Sequence, residues 1–378
     1  MTRRDFLYTS AILSSSALLS ANSNLTSSTF TSDEDFIIKA SFMREESDEH
    51  KRTWMSFVAN DYIWAKEQIL HVKQDLAKLA RTIARYEPVS ILVNDKDISH
   101  ARELLGSLNS YKYPIELISF DIDDLWLRDT GPTFVSNQDG VKSGINFNFN
   151  GWGEKQEHTL DSEVAEFITN HAKARVINSN LVLEGGSFEI DGAGTAILTE
   201  SSVLNDNRNP HFTKEEFEEE LKLLLGLKKI IWLKGIKGKD ITDAHVDFYA
   251  RFTKVGTVLV SRENYKDTYD YEITRENIKT LQNATDAAGN KLNVIILDNP
   301  DIFNESYGLD DFAAGYIGYY VCNDAVILQK FGDTKADKNA YDILQKQFPS
   351  HTIEQISVDG IASGGGSIHC ATQQEPLG

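Results

Sequence analysis

Short apolar runs alternate along this chain with amphipathic stretches of helical period, and no long linker interrupts the alternation. Apolar residues Ile69, Val72, Leu76, Leu79, Ala80 and Ile83 recur at three- and four-residue spacing, which predicts a helix over 63–86 that ends before Pro88. Further helices are expected over 162–172 and after Thr213, where Phe217, Leu221, Leu224 and Leu225 form one face and Gly226 supplies a stop. Strands are expected at 89–93, 115–120, 144–149, 196–198, 230–233, 255–260, 294–297 and 325–329. Such alternation means a mixed α/β fold, and a chain of 378 residues with 41% apolar content can bury it around a core of ordinary size. No GxGxxG follows the first strand and no GxxxxGK[ST] occurs, so a nucleotide site has no support.

The polar residues narrow the partners. With 57 acidic against 38 basic side chains, the net charge of -19 repels phosphate backbones and anionic lipid and attracts small cations. Nucleic acid and membrane surfaces are therefore poor partners. Two cysteines, Cys322 and Cys370, give no disulfide framework, and nine histidines show no HExxH or other zinc spacing, so neither metal nor cofactor is expected. Cys322 sits inside an apolar run and reads as a buried strand residue. At the start, Thr2-Arg3-Arg4-Asp5-Phe6-Leu7 precedes a Ser- and Ala-rich apolar stretch. This resembles a twin-arginine signal over 1–25, followed by a flexible mature start at 26–35 and one domain over 36–378. It implies an exported, periplasmic protein with no membrane anchor once the signal is removed; the alternative is a cytoplasmic protein with a basic start.

Four segments place costly residue types in apolar or Gly-rich surroundings. They are Asp123-Asp124-Leu125-Trp126-Leu127-Arg128-Asp129, Leu183-Glu184-Gly185-Gly186-Ser187, Asp243-Ala244-His245-Val246-Asp247 and Gly364-Gly365-Gly366-Ser367-Ile368-His369-Cys370. Each alone has an ordinary reading, as a solvated loop, a turn acid, a structural histidine or an inert thiol. In the second, Glu184 is expected to follow an apolar strand; in the third, an extended backbone would put His245 and Asp247 on one face. Together they supply a thiol, a histidine and several acids with no metal or nucleotide motif to use them otherwise. Attack on a guanidinium needs that set: carboxylates to grip a planar cation, a sulfur nucleophile for its unreactive carbon, and a proton shuttle for departing ammonia.

The same segments, with Asn205-Asp206-Asn207-Arg208-Asn209-Pro210, Phe149-Asn150-Gly151-Trp152-Gly153 and Phe331-Gly332-Asp333, resemble in order the signature blocks of the agmatine deiminase family of guanidine-modifying enzymes. The resemblance implies a pentein-type fold, a five-bladed α/β propeller of ββαβ units. It implies that Cys370 forms a covalent amidino intermediate, that His245 is general acid and then base, and that Asp129 and Asp247 hold the guanidinium. Glu184 would assist at the histidine and substrate nitrogens, and Trp126 would line the pocket. No cofactor is implied. The expected partner is a small guanidinium substrate, agmatine first, and a homo-oligomer stays open. A deiminase of free or peptidyl-arginine is the alternative, and a guanidine-binding protein without turnover the second. No arginine lies between Arg128 and Arg175, where an enzyme for arginine would hold a carboxylate. Two departures bear on substrate: Ala244 stands where the family has Gly, and Phe248-Tyr249-Ala250-Arg251 follows Asp247.

Overall fold

The computed structural model describes residues 41–303 and 312–377. The expected signal segment (1–25) and mature start (26–35) lie outside these residues.

The apolar runs assemble into five small sheets. The chain first lays down β1 (His50–Ser56), α1 (Lys66–Ile83), β2 (Val89–Val93), α2 (Ile98–Leu105) and β3 (Ile115–Ser119), with the three strands parallel. It then repeats one pattern: an antiparallel pair, a helix, and a strand parallel to the second of the pair. The pattern appears as β4 (Thr133–Ser136), β5 (Lys142–Asn146), α3 (Val164–His171) and β6 (Arg175–Asn178). It recurs as β7 (Phe188–Ile190), β8 (Thr195–Thr199), α4 (Lys214–Leu225) and β9 (Lys229–Leu233). A third copy is β10 (Ala250–Lys254), β11 (Thr257–Arg262), α5 (Asp270–Asn283) and β12 (Asn293–Asp298). A fourth is β13 (Tyr320–Cys322), β14 (Ala325–Gln329), α6 (Thr334–Gln347) and β15 (Thr352–Ile356). Last, β16 (Gln373–Pro376) pairs antiparallel with β1, so the first module is completed by the last strand. These are the five ββαβ modules that the resemblance implied.

Local chemistry explains the elements. β2, β8 and β14 are the middle strands of their sheets and are buried at every position, which their near-continuous apolar sequences require. Helix α1 buries Val72, Leu76, Leu79, Ala80 and Ile83, the face read from its periodicity. Helix α4 opens with a capping box between Thr213 and Glu216 and ends at Gly226, left-handed with φ 70°. Cys322 is buried on β13, as expected. Among the described residues no helix is long and apolar enough to cross a membrane.

Three expectations give way. Residues 181–183 are not a strand: Val182 and Leu183 donate to the Asn209 side chain and to the Phe147 carbonyl instead of entering a ladder. The 243–247 stretch is not extended either. Asp243 and Ala244 are left-handed (φ 59° and 73°), and a tight 3-10 turn covers Val246–Phe248, so His245 and Asp247 meet by a turn rather than by strand alternation. The left-handed Ala244 also accounts for the family's glycine there. Finally β11 starts at Thr257, because Gly256 (φ 69°) forms the hairpin turn before it.

Glu375 on β16 is fully buried and accepts from Trp54 Nε1 at 3.0 Å and Lys142 Nζ at 2.6 Å, with Arg52 Nε at 3.4 Å. It joins the last strand to the first and to the neighbouring sheet. Glu375→Gln is expected to cost about 3–5 kcal/mol of stability in denaturant unfolding, the loss typical of a broken buried pair; an unchanged midpoint would refute that role.

Candidate active site

Each module contributes the turn that leads into its first strand. Asp129 lies just ahead of β4, Glu184 and Gly186 ahead of β7, His245 and Asp247 ahead of β10, Gly318 ahead of β13, and Cys370 ahead of β16. Five equivalent turns therefore meet at one place. Their backbones are tied together: Gly186 N donates to Asp129 Oδ1 (3.0 Å), Asp247 N to the Gly186 carbonyl (3.3 Å), His369 N to the Gly318 carbonyl (3.0 Å) and Arg128 N to the Cys370 carbonyl (3.1 Å).

Around Gly186 the side chains converge. A Cβ added there would meet His245 Nδ1 at 2.7 Å and an oxygen of each of Asp129 and Asp247 at 3.0 Å. The missing side chain is what leaves the two carboxylates and the imidazole facing a common gap. Cys370 Sγ lies 3.7 Å from Asp247 Oδ2 and 3.3 Å from Ser367 Oγ, and His245 Nδ1 lies 3.7 Å from Asp129 Oδ2. His245 Nε2 sits 3.1 Å from Glu184 Oε2, which turns the other ring nitrogen toward the gap. Asp247 Oδ1 is buried and lacks a hydrogen-bond donor. All five expected catalytic residues are thus brought together, each at most 6% exposed.

Two of the expected contacts differ in detail. Both Glu184 oxygens are engaged, by Arg208 Nε (2.7 Å) and His245, so Glu184 serves the histidine and does not face the gap. Trp126 lies close against Gly366 and Trp64 against Gly364, approaches that only glycine permits. Asp124 accepts from both indoles, at 2.8 and 3.0 Å. Trp126 therefore supports the turn that carries Cys370. The indole that reaches a catalytic acid is Trp152, whose Nε1 donates to Asp129 Oδ2 at 2.9 Å from a left-handed backbone (φ 57°).

Burial and charge set the ionisation. Burial pushes the Cys370 thiol well above its usual value, and the charges of Asp247 and Asp129 push it further. Burial opposes a charged His245, yet Asp129, Glu184 and Asp247 outweigh it and raise the imidazole to about 9. Burial also raises Asp129, with Asp247 and Glu184 adding to it. Burial acts upward on Asp247 and Glu184 as well, but His369 holds the first below its ordinary range and Arg208 with His245 hold the second.

An outer layer of ions, which sequence reasoning missed, surrounds this set. Arg208 forks between Glu184 and Asp243 (3.0 Å), and Lys155 also reaches Asp243 (2.6 Å). Arg251 spends its guanidinium on Glu46 (2.9 Å), Glu189 (3.4 Å) and the Tyr319 carbonyl. Arg128 binds Glu46 (3.0 Å) and Gln374 (2.7 Å). The Arg208 block was visible in the sequence; Glu46 lay in an acidic run that reads as solvated.

The sequence profile of the Porphyromonas-type peptidyl-arginine deiminases matches residues 42–376. The chain belongs to this family. An agmatine deiminase of Medicago truncatula is 34% identical over 367 residues, covering 88% of this chain and 96% of its own. The solved agmatine deiminase of Enterococcus faecalis superposes with a TM-score of 0.82 at 28% identity, covering 89% of this chain and 96% of that one. A cysteine-to-serine variant of the C. jejuni agmatine deiminase with substrate bound gives 0.76 at 26% identity, covering 89% and 97%. The deiminase fold thus extends over the whole described chain.

In this deiminase the charge on His245 is sustained by its acidic neighbours, so removing one must lower its titration. The His245 ring is expected to titrate near 9 by NMR and to move to lower pH in Glu184→Gln. A midpoint that stays put in the variant would show that Glu184 does not act on it.

Proposed function

We propose that this chain hydrolyses agmatine to N-carbamoylputrescine and ammonia. The observation that carries the reading is the gap at Gly186: two carboxylates face it, Asp247 Oδ1 has no donor, and a sulfur stands beside it. A buried acceptor without a partner costs about 1–3 kcal/mol, and a guanidinium N–H satisfies it. Burial first, and then the charges of Asp247 and Asp129, keep the proton on Cys370; the same cation offsets those charges and so favours the thiolate when substrate is present.

The steps follow from the geometry. The sulfur of Cys370 bonds to the guanidinium carbon, and the electrons move onto its nitrogens. Protonated His245 gives its Nδ1 proton to the leaving nitrogen, the C–N bond breaks, and ammonia departs from an amidino thioether. Neutral His245 then takes one proton from water as its oxygen bonds to carbon, the C–S bond breaks to release the thiolate, and the remaining hydroxyl proton passes to solvent to leave the neutral ureido product. Asp129 and Asp247 hold the planar group throughout, and Glu184 keeps the ring of His245 in register.

Agmatine is favoured over arginine by the cations. Arg128, Arg208, Arg251 and Lys155, the basic groups that the described residues bring around the site, are each bound to an acid, so none of them is set aside for a substrate carboxylate. Arg251, in the segment that departs from the family pattern, points its charge at Glu46 and Glu189. The agmatine deiminases of M. truncatula and E. faecalis support the same choice.

Ammonia release from agmatine, free arginine and a peptidyl-arginine, measured side by side, is expected to be fastest with agmatine and absent in Cys370→Ser. Agmatine as the slowest of the three would overturn the substrate, and turnover in Cys370→Ser would overturn the mechanism. Binding of agmatine without turnover by the unaltered protein would identify a guanidine-binding protein instead. Gly186→Ala, which fills the gap, is expected to cut kcat/KM by more than about 100-fold with little change in Tm; full activity would mean the substrate lies elsewhere.

We also infer export through the twin-arginine segment and work in the periplasm. Replacing Arg3 and Arg4 together by lysine is expected to retain the protein in the cytoplasmic fraction. Periplasmic recovery of that variant would refute this route.

A further inference from the structure

We propose that Glu46, on the segment leading into β1, is a positioning residue that acts through His369 to hold Asp247 in its working orientation. The inference rests on the role given above to Asp247.

Asp247 needs one oxygen fixed and one left open. Its Oδ2 meets His369 Nδ1 at 2.8 Å, and its Oδ1 is the buried oxygen without a donor. His369 is itself only 2% exposed and touches a second carboxylate: its Nε2 lies 2.9 Å from Glu46 Oε2. An imidazole between two carboxylates has only acceptors to face. Two hydrogen bonds in such a line need two protons, and the ring is the group that can hold both. A neutral ring would aim a lone pair at one oxygen. A ring that donates from both nitrogens meets both acceptors, and it fixes Asp247 Oδ2, the oxygen that also lies beside Gly186 and Cys370 Sγ.

Glu46 makes that state tenable. Its carboxylate lies between three groups, His369 Nε2, Arg128 Nη2 at 3.0 Å and Arg251 Nη2 at 2.9 Å, and it also accepts from Val321 N at 2.8 Å. Those partners hold it well below the usual carboxylate range against the pull of burial. Without it, two buried arginines would face the imidazole directly, and His369 Nε2 would lose its acceptor. The segment reaches this place by crossing two other modules: Phe42 bridges to Ser136 at the end of β4, and Met43 N donates to the Leu225 carbonyl at the end of α4. A stretch ahead of the first strand is thereby part of the floor of the site.

The test uses the full mature protein. Proton NMR is expected to show a hydrogen-bonded His369 Nδ1–H in the unaltered protein, and to lose or shift it in Glu46→Gln. For agmatine, kcat/KM in Glu46→Gln is expected to fall about 10- to 100-fold, the loss of one hydrogen bond between charged groups. Glu189→Gln removes a buried carboxylate from Arg251 without touching His369, and is expected to stay near the unaltered value. His369→Asn, which offers an amide N–H near the place of Nδ1, is expected to exceed His369→Ala in kcat/KM. No hydrogen-bonded His369 ring N–H in the unaltered protein, or equal losses in the Glu46 and Glu189 variants, overturns the proposal. Should the unaltered protein release no ammonia from agmatine, the functional reading fails instead, and the ring signals alone decide whether Glu46 controls His369.

Discussion

The rest of the molecule is arranged around one electrostatic difficulty: four acids and a thiol share a small space from which water is largely shut out. Asp129, Glu184 and Asp247 are buried within reach of His245, and Glu46 lies one imidazole further down. Unpaired, such charges would neutralise themselves by taking up protons. Here they are counted out against cations one by one. Glu184 is given to Arg208, Asp247 to His369, and Glu46 to Arg128 and Arg251, while Asp129 has two neutral N–H donors, from Trp152 and Gly186, and a histidine at 3.7 Å. The shortfall therefore falls on Asp129 and on the one Asp247 oxygen without a donor. A planar cation entering there completes a balance that the protein leaves open.

The fold serves this arrangement by repetition. Five modules of one topology each offer the turn before their first strand to a common centre, and the turns differ in what they carry. Backbone hydrogen bonds between neighbouring turns fix their spacing, and side chains of different chemistry are presented from a framework that is geometrically regular. Catalytic position is thus a property of the module, whereas catalytic identity is a property of the residue placed there.

Much of the centre was legible in the sequence because its residues are costly where they stand. Glu184 beside two glycines, His245 with two acids, and Cys370 after three glycines are poor choices for a simple core or a simple surface. The strands that were missed are mostly the first of each module. At three to seven residues, β1, β4, β7, β10 and β16 give little room for a period to show, and the same holds for the four- and five-residue strands β6 and β15, whereas β13 was read from the apolar run around Cys322. The turn at Asp243 and Ala244 was hidden because neither residue is a glycine, although both are left-handed. Glu46 was hidden for a different reason: its partners at 128, 251 and 369 are distant in sequence, and nothing within Arg44-Glu45-Glu46-Ser47-Asp48-Glu49 distinguishes it from a solvated run. Long-range pairing leaves no local trace.

The pairing of β16 with β1 orders events in time as well as space. Among the described strands, His50–Ser56 is made before all the others and Gln373–Pro376 after them, with the sulfur of Cys370 just ahead of it. Contacts between chain segments so far apart in sequence form slowly, because the intervening loop must first be closed. A nascent polypeptide holding four finished modules would still lack both its reactive atom and the strand that anchors it. The reactive sulfur and the strand that anchors it are thus the latest parts of the described fold to be supplied.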